Sequence, residues 1–484
     1  MNTWYSAIRL LTTSALTVLI ADADAQITWR RTYGGFDTNR GMSVRVASDG
    51  GYVIAGSTGS FGAGGQAYVL KIDEMGLLQW TAVIGDNGVQ SGMACRVLED
   101  GYVLAGTTST GVFGGYDVYV VRLDLNGQVL WEQSYGTTEW DLGKDIEVVD
   151  DGFVVVGTSY GSGSADALVL RIDADGEEVW RSSIGDIGED EGNGVIVTSG
   201  GEFVVTGAMA NVEDDDRTDA FVSKLSVNGD VQWTEIFGGD SADYFYSAVE
   251  MPDGGFACSG GTGSYSDVKQ ILLVKVDADG GQLWQEVFGS MGDSEAREIQ
   301  LNLNGDLAMA SYNSYNNAGG KDMVLFIATA AGSFMLGKNY GGIDDEDGFS
   351  IQCTADGGYI LVGIAEGYGP GITSIYVVKS AANGETVDDT VYEMFDASAV
   401  EAPEATQLPF ILSPDPASSF TRLATRTPLT SATLFDPQGR LVRTWSAPVP
   451  QELDLRGLAE GTYQFVAIGD DGRRMALPLM IAGN

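Results

Sequence analysis

Seven times along this chain, about fifty residues apart, a short strand ends in one signature. A Trp is followed four positions later by an aromatic residue or Ile, and then by Gly. The Trp copies are Trp29, Trp80, Trp131, Trp180, Trp233 and Trp284, with Leu336 in the seventh slot. Their partners are Tyr33, Ile84, Tyr135, Ile184, Phe237, Phe288 and Tyr340, and the glycines are Gly34, Gly85, Gly136, Gly185, Gly238, Gly289 and Gly341. The Trp spacings are 51, 51, 49, 53 and 51 residues. A period of this size belongs to a repeat architecture. Each copy is then first a packing unit, which weighs against an enzyme.

One period, residues 42–84, contains MSVRVASD, GYVIAGST, AYVLKID and LLQW, with turn residues between them. Short alternating or apolar runs without a 3.6-residue rhythm read as a four-stranded antiparallel sheet. The second strand recurs as GYVLAG at 101, GFVVVG at 152, EFVVTG at 202, GFACSG at 255, DLAMAS at 306 and GYILVG at 358. The third recurs at 118, 167, 220, 271, 323 and 375. Seven copies of each predict an all-β, seven-bladed β-propeller over residues 26–383. The strand at 27–35 precedes any complete blade, and the last blade lacks a Trp strand of its own. The N-terminal strand is therefore expected to close the last blade, protecting sheet edges that would otherwise template aggregation. Each Trp is expected between neighbouring blades. The turns RLDLNGQ, RIDADGE and KVDADGG look like calcium loops. They are shorter than the roughly twelve residues an EF-hand needs, and a tight hairpin accounts for their Asp, Asn and Gly.

The ends read differently. Residues 1–25 carry Arg9, an apolar run from Leu10 to Ile20 and a small-residue segment, the pattern of a secretory signal peptide. No segment approaches the ~20 apolar residues of a membrane-spanning helix. Residues 384–411 are acidic and rich in small residues, and read as a linker. Residues 412–484 predict a small C-terminal β-sandwich domain.

The chain holds 68 Asp and Glu against 26 Lys and Arg, a net charge of −42. The excess lies in the repeats and linker, because the tail after residue 411 balances its acids with Arg. Such a balance excludes nucleic acid and anionic membranes as partners, both of which call for a basic footprint. It suits solubility, or a cation. The chain has no His, which removes His-based triads and His metal sites. Cys95, Cys258 and Cys353 fall in blades two, five and seven, no two of them neighbours, so no pair is expected to come within the ~7 Å a disulfide requires, and buried free thiols are expected.

The tail resembles the type A C-terminal sorting domain of the type IX secretion system. The matching segments are LSPDPA at 412–417, LFDPQGRLV at 434–442 and LDLRGLAEGTYQF at 453–465, with Asp415 where the family usually has Asn. The resemblance implies Pro414, Asp415, Pro416, Gly439, Gly457, Gly461 and Tyr463 as the sorting signal. It also implies the type IX machinery as a partner, and a secreted or outer-surface location. The repeats, YGG then DGGYVIAG then AYVLKID, are similar to bacterial propeller repeats of the SBBP kind, which do not fix an activity.

The loop after each signature carries acids: Asp37; Asp86; Glu139 and Asp141; Asp186, Glu189, Asp190 and Glu191; Asp240 and Asp243; Asp293 and Glu295; Asp344 to Asp347. Most are expected to bond backbone amides of neighbouring turns. The clusters at 189–191, 213–216 and 344–347 exceed that need. Asp344, Asp345, Asp347 and Asp190 are accordingly the candidate metal ligands, for calcium. Aromatic residues share the same face, and Trp140, Tyr160, Tyr116, Tyr244, Tyr265 and Tyr368 are the candidate ligand-binding set. Rings beside carboxylates stack on sugars and bond their hydroxyls; alternatively these rings cap blade ends. The expected function is a non-catalytic binding or adhesion propeller with a glycan or protein ligand. The alternative is a carboxylate-dependent polysaccharide hydrolase or lyase, which acids clustered deep in the central channel would favour.

Overall fold

A computed structural model describes residues 26–394, except 63, 162–163, 186, 211–216, 290, 315–319, 367 and 388–389, and residues 410–481, except 414–418, 426–428, 436–440 and 470–473. The proposed signal peptide, Asp186, the 213–216 acids, Pro414, Asp415, Pro416 and Gly439 lie outside the described residues.

Strand β1 (Trp29–Gly34) is followed by six four-stranded antiparallel sheets in chain order: β2–β5 over 39–84, β6–β9 over 90–135, β10–β13 over 141–184, β14–β17 over 191–237, β18–β21 over 243–288 and β22–β25 over 294–340. The seventh combines β26 (Glu346–Cys353), β27 (Tyr359–Ala365) and β28 (Ser374–Ser380) with β1. The last two pair antiparallel, Trp29 opposite Lys379 and Tyr33 opposite Ile375. The fold is a seven-bladed propeller closed by its N-terminal strand, as the repeat count requires. One correction concerns the linker. Thr390–Met394 within it forms β29, which adds to β1 in parallel as a fifth strand of blade seven.

Apolar residues of the second and third strands of each blade are buried on both faces, because each blade packs between two others. The result is seven clusters, each shared by adjacent blades, and one of them joins blade seven to blade one through Tyr33, Val44, Ile54, Leu70, Val362 and Ile375. The Trp residues lie in these seams. Trp29 donates its indole N–H to the Glu74 carbonyl at 2.9 Å and meets Tyr52 edge-on. Trp80 packs on Tyr102, and Trp180 on Phe203. Where the partner slot holds Tyr, its hydroxyl reaches the turn of the next blade: Tyr33 donates to Gly76, Tyr135 to Gly176 and Tyr340 to Gly384. Tyr33→Phe is expected to cost about 1 kcal/mol, read as a lower urea midpoint at unchanged slope.

The Asp-rich turns are hairpin devices. Asp73 Oδ1 accepts the amides of Met75 and Leu77, and Asp124 those of Asn126 and Gln128. A second device recurs in the third strands. Lys71, Arg122, Arg171, Lys224, Lys275 and Lys379 bury their stems and pair with Asp49, Asp100, Asp151, Glu202, Asp253 and Asp356, most of them in the turn between strands one and two. Cys95, Cys258 and Cys353 are free thiols.

Beyond the propeller, β30 (Phe410–Ser413), β31 (Phe420–Thr425), β32 (Leu429–Phe435), β33 (Leu441–Ser446), β34 (Glu452–Asp454), β35 (Gly461–Gly469) and β36 (Arg474–Ile481) form two sheets. Leu423, Leu434, Leu453, Phe465 and Leu479 fill the space between them, which makes this unit a sandwich. Gly457 and Gly461 take positive φ, and the Tyr463 hydroxyl donates to the Ala459 carbonyl at 2.9 Å.

Candidate functional site

The first strand of every blade carries one irregularity at the same place. Pairing with the second strand skips a residue between Gly41 and Ser43, Gly92 and Ala94, Gly143 and Asp145, Gly192 and Gly194, Phe245 and Ser247, Ala296 and Glu298, and Gly348 and Ser350. A β-bulge re-aims the extra side chain. The seven bulged residues, Met42, Met93, Lys144, Asn193, Tyr246, Arg297 and Phe349, all line one central cavity of about 590 Å³. That volume lies within the range of small-ligand sites.

The cavity wall is charged but internally paired. Arg96 bridges Asp145 at 3.0 Å and Glu147 at 2.7 Å, Arg45 holds Glu298 at 2.8 Å, and Lys144 holds Glu191 at 2.7 Å. The remaining oxygens of Asp145 and Glu298 accept backbone amides from Val195 and Ile351. Burial pushes the Asp145 carboxyl above its ordinary range, against the pull of Arg96. On the opposite wall Arg297 lies 4.6 Å over the Tyr246 ring and pairs with the buried Glu295. Tyr244 stacks on Tyr246 at 6.2 Å, with Lys269 over its face. Carboxylates do line the channel, yet cations or amides tie those of Asp145 and Glu298 on both sides, so neither is placed to act as a free acid–base pair.

The aromatic candidates divide. Tyr116, Trp140 and Tyr160 come together on the loop face of blades two and three. The Trp140 ring meets Tyr116 at 5.3 Å and 85°, and Tyr160 at 6.2 Å and 74°. Backbone bonds from Asp141 to Tyr116 and from Tyr160 to Trp140 lock the three loops. Trp140 remains 52% exposed. Tyr244 belongs to the channel instead. Tyr265 is exposed and accepts a bond from Gln285 of an outer strand. Tyr368 is a packing residue: it stacks on Tyr376 and donates to the Gly341 carbonyl at 3.1 Å.

The acidic candidates do not form a shared site. Asp345 accepts the Lys321 amide, Asp347 turns toward Lys321 and Arg297, and Asp190 sits in another blade, where it accepts the Ala210 amide. Asp344 and Asp345 lie in the loop before β26, and within the strand alternation sends Glu346 and Asp347 to opposite sides. Among the described residues no group of three or more Cys, Asp and Glu is arranged to hold a metal ion.

No family model matches the chain. The regulatory protein FlaEY of Caulobacter vibrioides is 30% identical over 176 residues, covering 30% of this chain and 18% of that protein. The chain thus spans about a fifth of the length of that relative. Among solved structures, puromycin hydrolase matches at TM-score 0.46 and 12% identity, covering 93% of this chain and 60% of that one. The Pan2 WD40 domain of Neurospora crassa matches at 0.45 and 10%, covering 72% and 90%. The extracellular domain of BT4673 from B. thetaiotaomicron matches at 0.42 and 13%, covering 92% and 56%. None of these likenesses assigns an activity. The class that the fold and cavity define is an all-β propeller whose blade loops and bulges present side chains to one face and one channel.

Proposed function

We propose that this protein is a secreted or cell-surface, non-catalytic binding propeller with a glycan or protein ligand on its loop face. The observation that carries the reading is Trp140, half exposed yet fixed edge-on by Tyr116 and Tyr160. A large ring held in place loses little entropy on binding, and aromatic side chains of this kind anchor ligands. The bulge ring of Tyr246, Arg297, Phe349, Met42 and Met93 offers an adaptable second surface in the channel. Export through the type IX system, with residues 412–484 as the signal, rests on the tail motifs and the N-terminal leader pattern. The tied channel carboxylates speak against the hydrolase or lyase reading.

The test is binding of the full chain to a broad glycan array, in calcium and again in EDTA. Selective binding that falls at least tenfold in Trp140→Ala supports the loop face. The substitution should cost only about 1–2 kcal/mol of stability, the worth of two edge contacts. A blank array in both conditions overturns the glycan reading in favour of protein adhesion. Selective binding unchanged in Trp140→Ala overturns the loop-face site.

A further inference from the structure

At five of the junctions the glycine of the repeat signature, Gly85, Gly136, Gly185, Gly238 or Gly341, is pressed between side-chain oxygen atoms of two residues. At the junction of blades two and three, a β-carbon on Gly136 would stand 2.4 Å from Asp117 Oδ1 and 2.9 Å from Asp141 Oδ2. Asp117 opens the third strand of blade two, and Asp141 opens the first strand of blade three. Both residues are fully buried. Asp117 Oδ2 accepts the Phe113 amide, and Asp141 Oδ2 accepts the Thr137 amide and hydroxyl. The Oδ1 atoms of both are buried with no hydrogen-bond partner. Two carboxylates buried against one glycine repel unless something positive joins them. Burial, and then the Asp141 charge, raises the Asp117 carboxyl.

Sister junctions show what the cradle is built to hold. Between blades one and two the same two positions are Gln66 and Gln90, whose side-chain oxygens flank Gly85. The Gln66 Nε2 there donates to the carbonyls of Gly65, Asp86 and Gly88 at 3.2, 2.8 and 3.2 Å. Between blades seven and one, Asn39 Nδ2 donates to the carbonyls of Gly35, Asp37 and Thr373. In both, loop carbonyls converge on a partially positive NH₂ group. At Asp117 and Asp141 that NH₂ is replaced by carboxylate, and among the described residues no Lys or Arg closes an ion pair on either Oδ1 atom.

We propose that a calcium ion binds between Asp117 and Asp141 and supplies that charge. Two carboxylates with loop carbonyls and water make a hard oxygen shell of the kind calcium takes. This site differs from the 344–347 cluster, whose carboxylates diverge. The same paired placement recurs at Asp166 and Asp190, Asp219 and Asp243, and Asp322 and Glu346, around Gly185, Gly238 and Gly341.

Terbium(III) tests the site in the full chain, because Trp140 adjoins Asp141 and serves as the sensitiser. Terbium emission excited through Trp is expected in the native protein, displaced by calcium. It is expected to fall at least tenfold in Asp141→Asn and in Asp117→Asn, and to persist in Asp344→Asn. The Asn variants reproduce the amides of the sister junctions, so their folding is checked by melting temperature in EDTA. Absence of sensitised emission in the native protein, or equal emission in the Asn variants, overturns the proposal. A pair that shares a proton instead would show no calcium-dependent rise in melting temperature.

Discussion

Deleting residues 26–34 is expected to abolish cooperative folding of the propeller. Strand β1 pairs with β28 from Trp29–Lys379 to Tyr33–Ile375, and Trp29 and Tyr33 fill the seam between blades seven and one. Removing a buried large aromatic costs about 3–5 kcal/mol, and two of them approach the total stability of a typical domain, about 5–15 kcal/mol. The deletion also bares the edge of β28, a template for association. The expected result is soluble aggregate on size exclusion and no single thermal transition, with partial recovery when the 26–34 peptide is added in trans. A truncated protein that stays monomeric with the native unfolding midpoint would show that the seam is held by other contacts.

The second large effect is expected in the channel. Arg96→Ala leaves Asp145 and Glu147 without their shared cation, and breaking a buried pair in this way costs about 3–5 kcal/mol. Burial already raises the Asp145 carboxyl and Arg96 opposes that rise, so the substitution moves it further up. A carboxyl whose folded value is raised contributes stability that is full below its unfolded value, and that is lost as pH rises through the folded value. The deficit of Arg96→Ala should therefore be smallest near pH 4 and largest at neutral pH, and Asp145→Asn in the same chain should recover part of it. Denaturant midpoints across pH measure this. A deficit independent of pH and unrelieved by Asp145→Asn would mean that Arg96 acts through packing alone.

The blades and their closure were legible because both rest on a periodic apolar pattern that any one repeat displays in full. The channel was not. Arg96 joins Asp145 and Lys144 joins Glu191 one period on, and Arg45 reaches Glu298 across the ring closure, so no single repeat contains both partners of these pairs. The bulges that aim Met42, Lys144, Tyr246 and Arg297 inward leave almost no mark in composition. The only trace is a varied residue, usually after Gly, inside an otherwise regular first strand. Loop aromatics were visible as residues, but their roles depend on neighbours from other blades. Tyr116, Trp140 and Tyr160 meet because adjacent loops do, while Tyr368 finds Tyr376 within its own blade. The Gly of the signature is visible in the sequence only as a recurrence, and the paired oxygens against Gly136 supply its physical reason.

A ring sealed by strand pairing has no privileged first repeat. After β28 the chain makes the same turn that leads into the fourth strand elsewhere: Ala381 bonds Glu385 and Gly384 bonds Ala381, as Asp73 bonds Leu77 and Gly76 bonds Asp73. Yet the place beyond that turn is taken by β1, and Gln26 at its start accepts the Ala382 amide. The following residues, displaced outward, become β29. Had they entered in register, Asp388 would stand in the Trp slot and Glu393 in the Gly slot. Both are excluded, one by an apolar seam and the other by the Asn39 side chain that crowds Gly34. The two ends of the propeller thus compete for one berth, and the signature decides the winner. A permuted chain that joins residue 385 to residue 27 and opens at Gly35 would keep every blade and turn the contest into an ordinary hairpin.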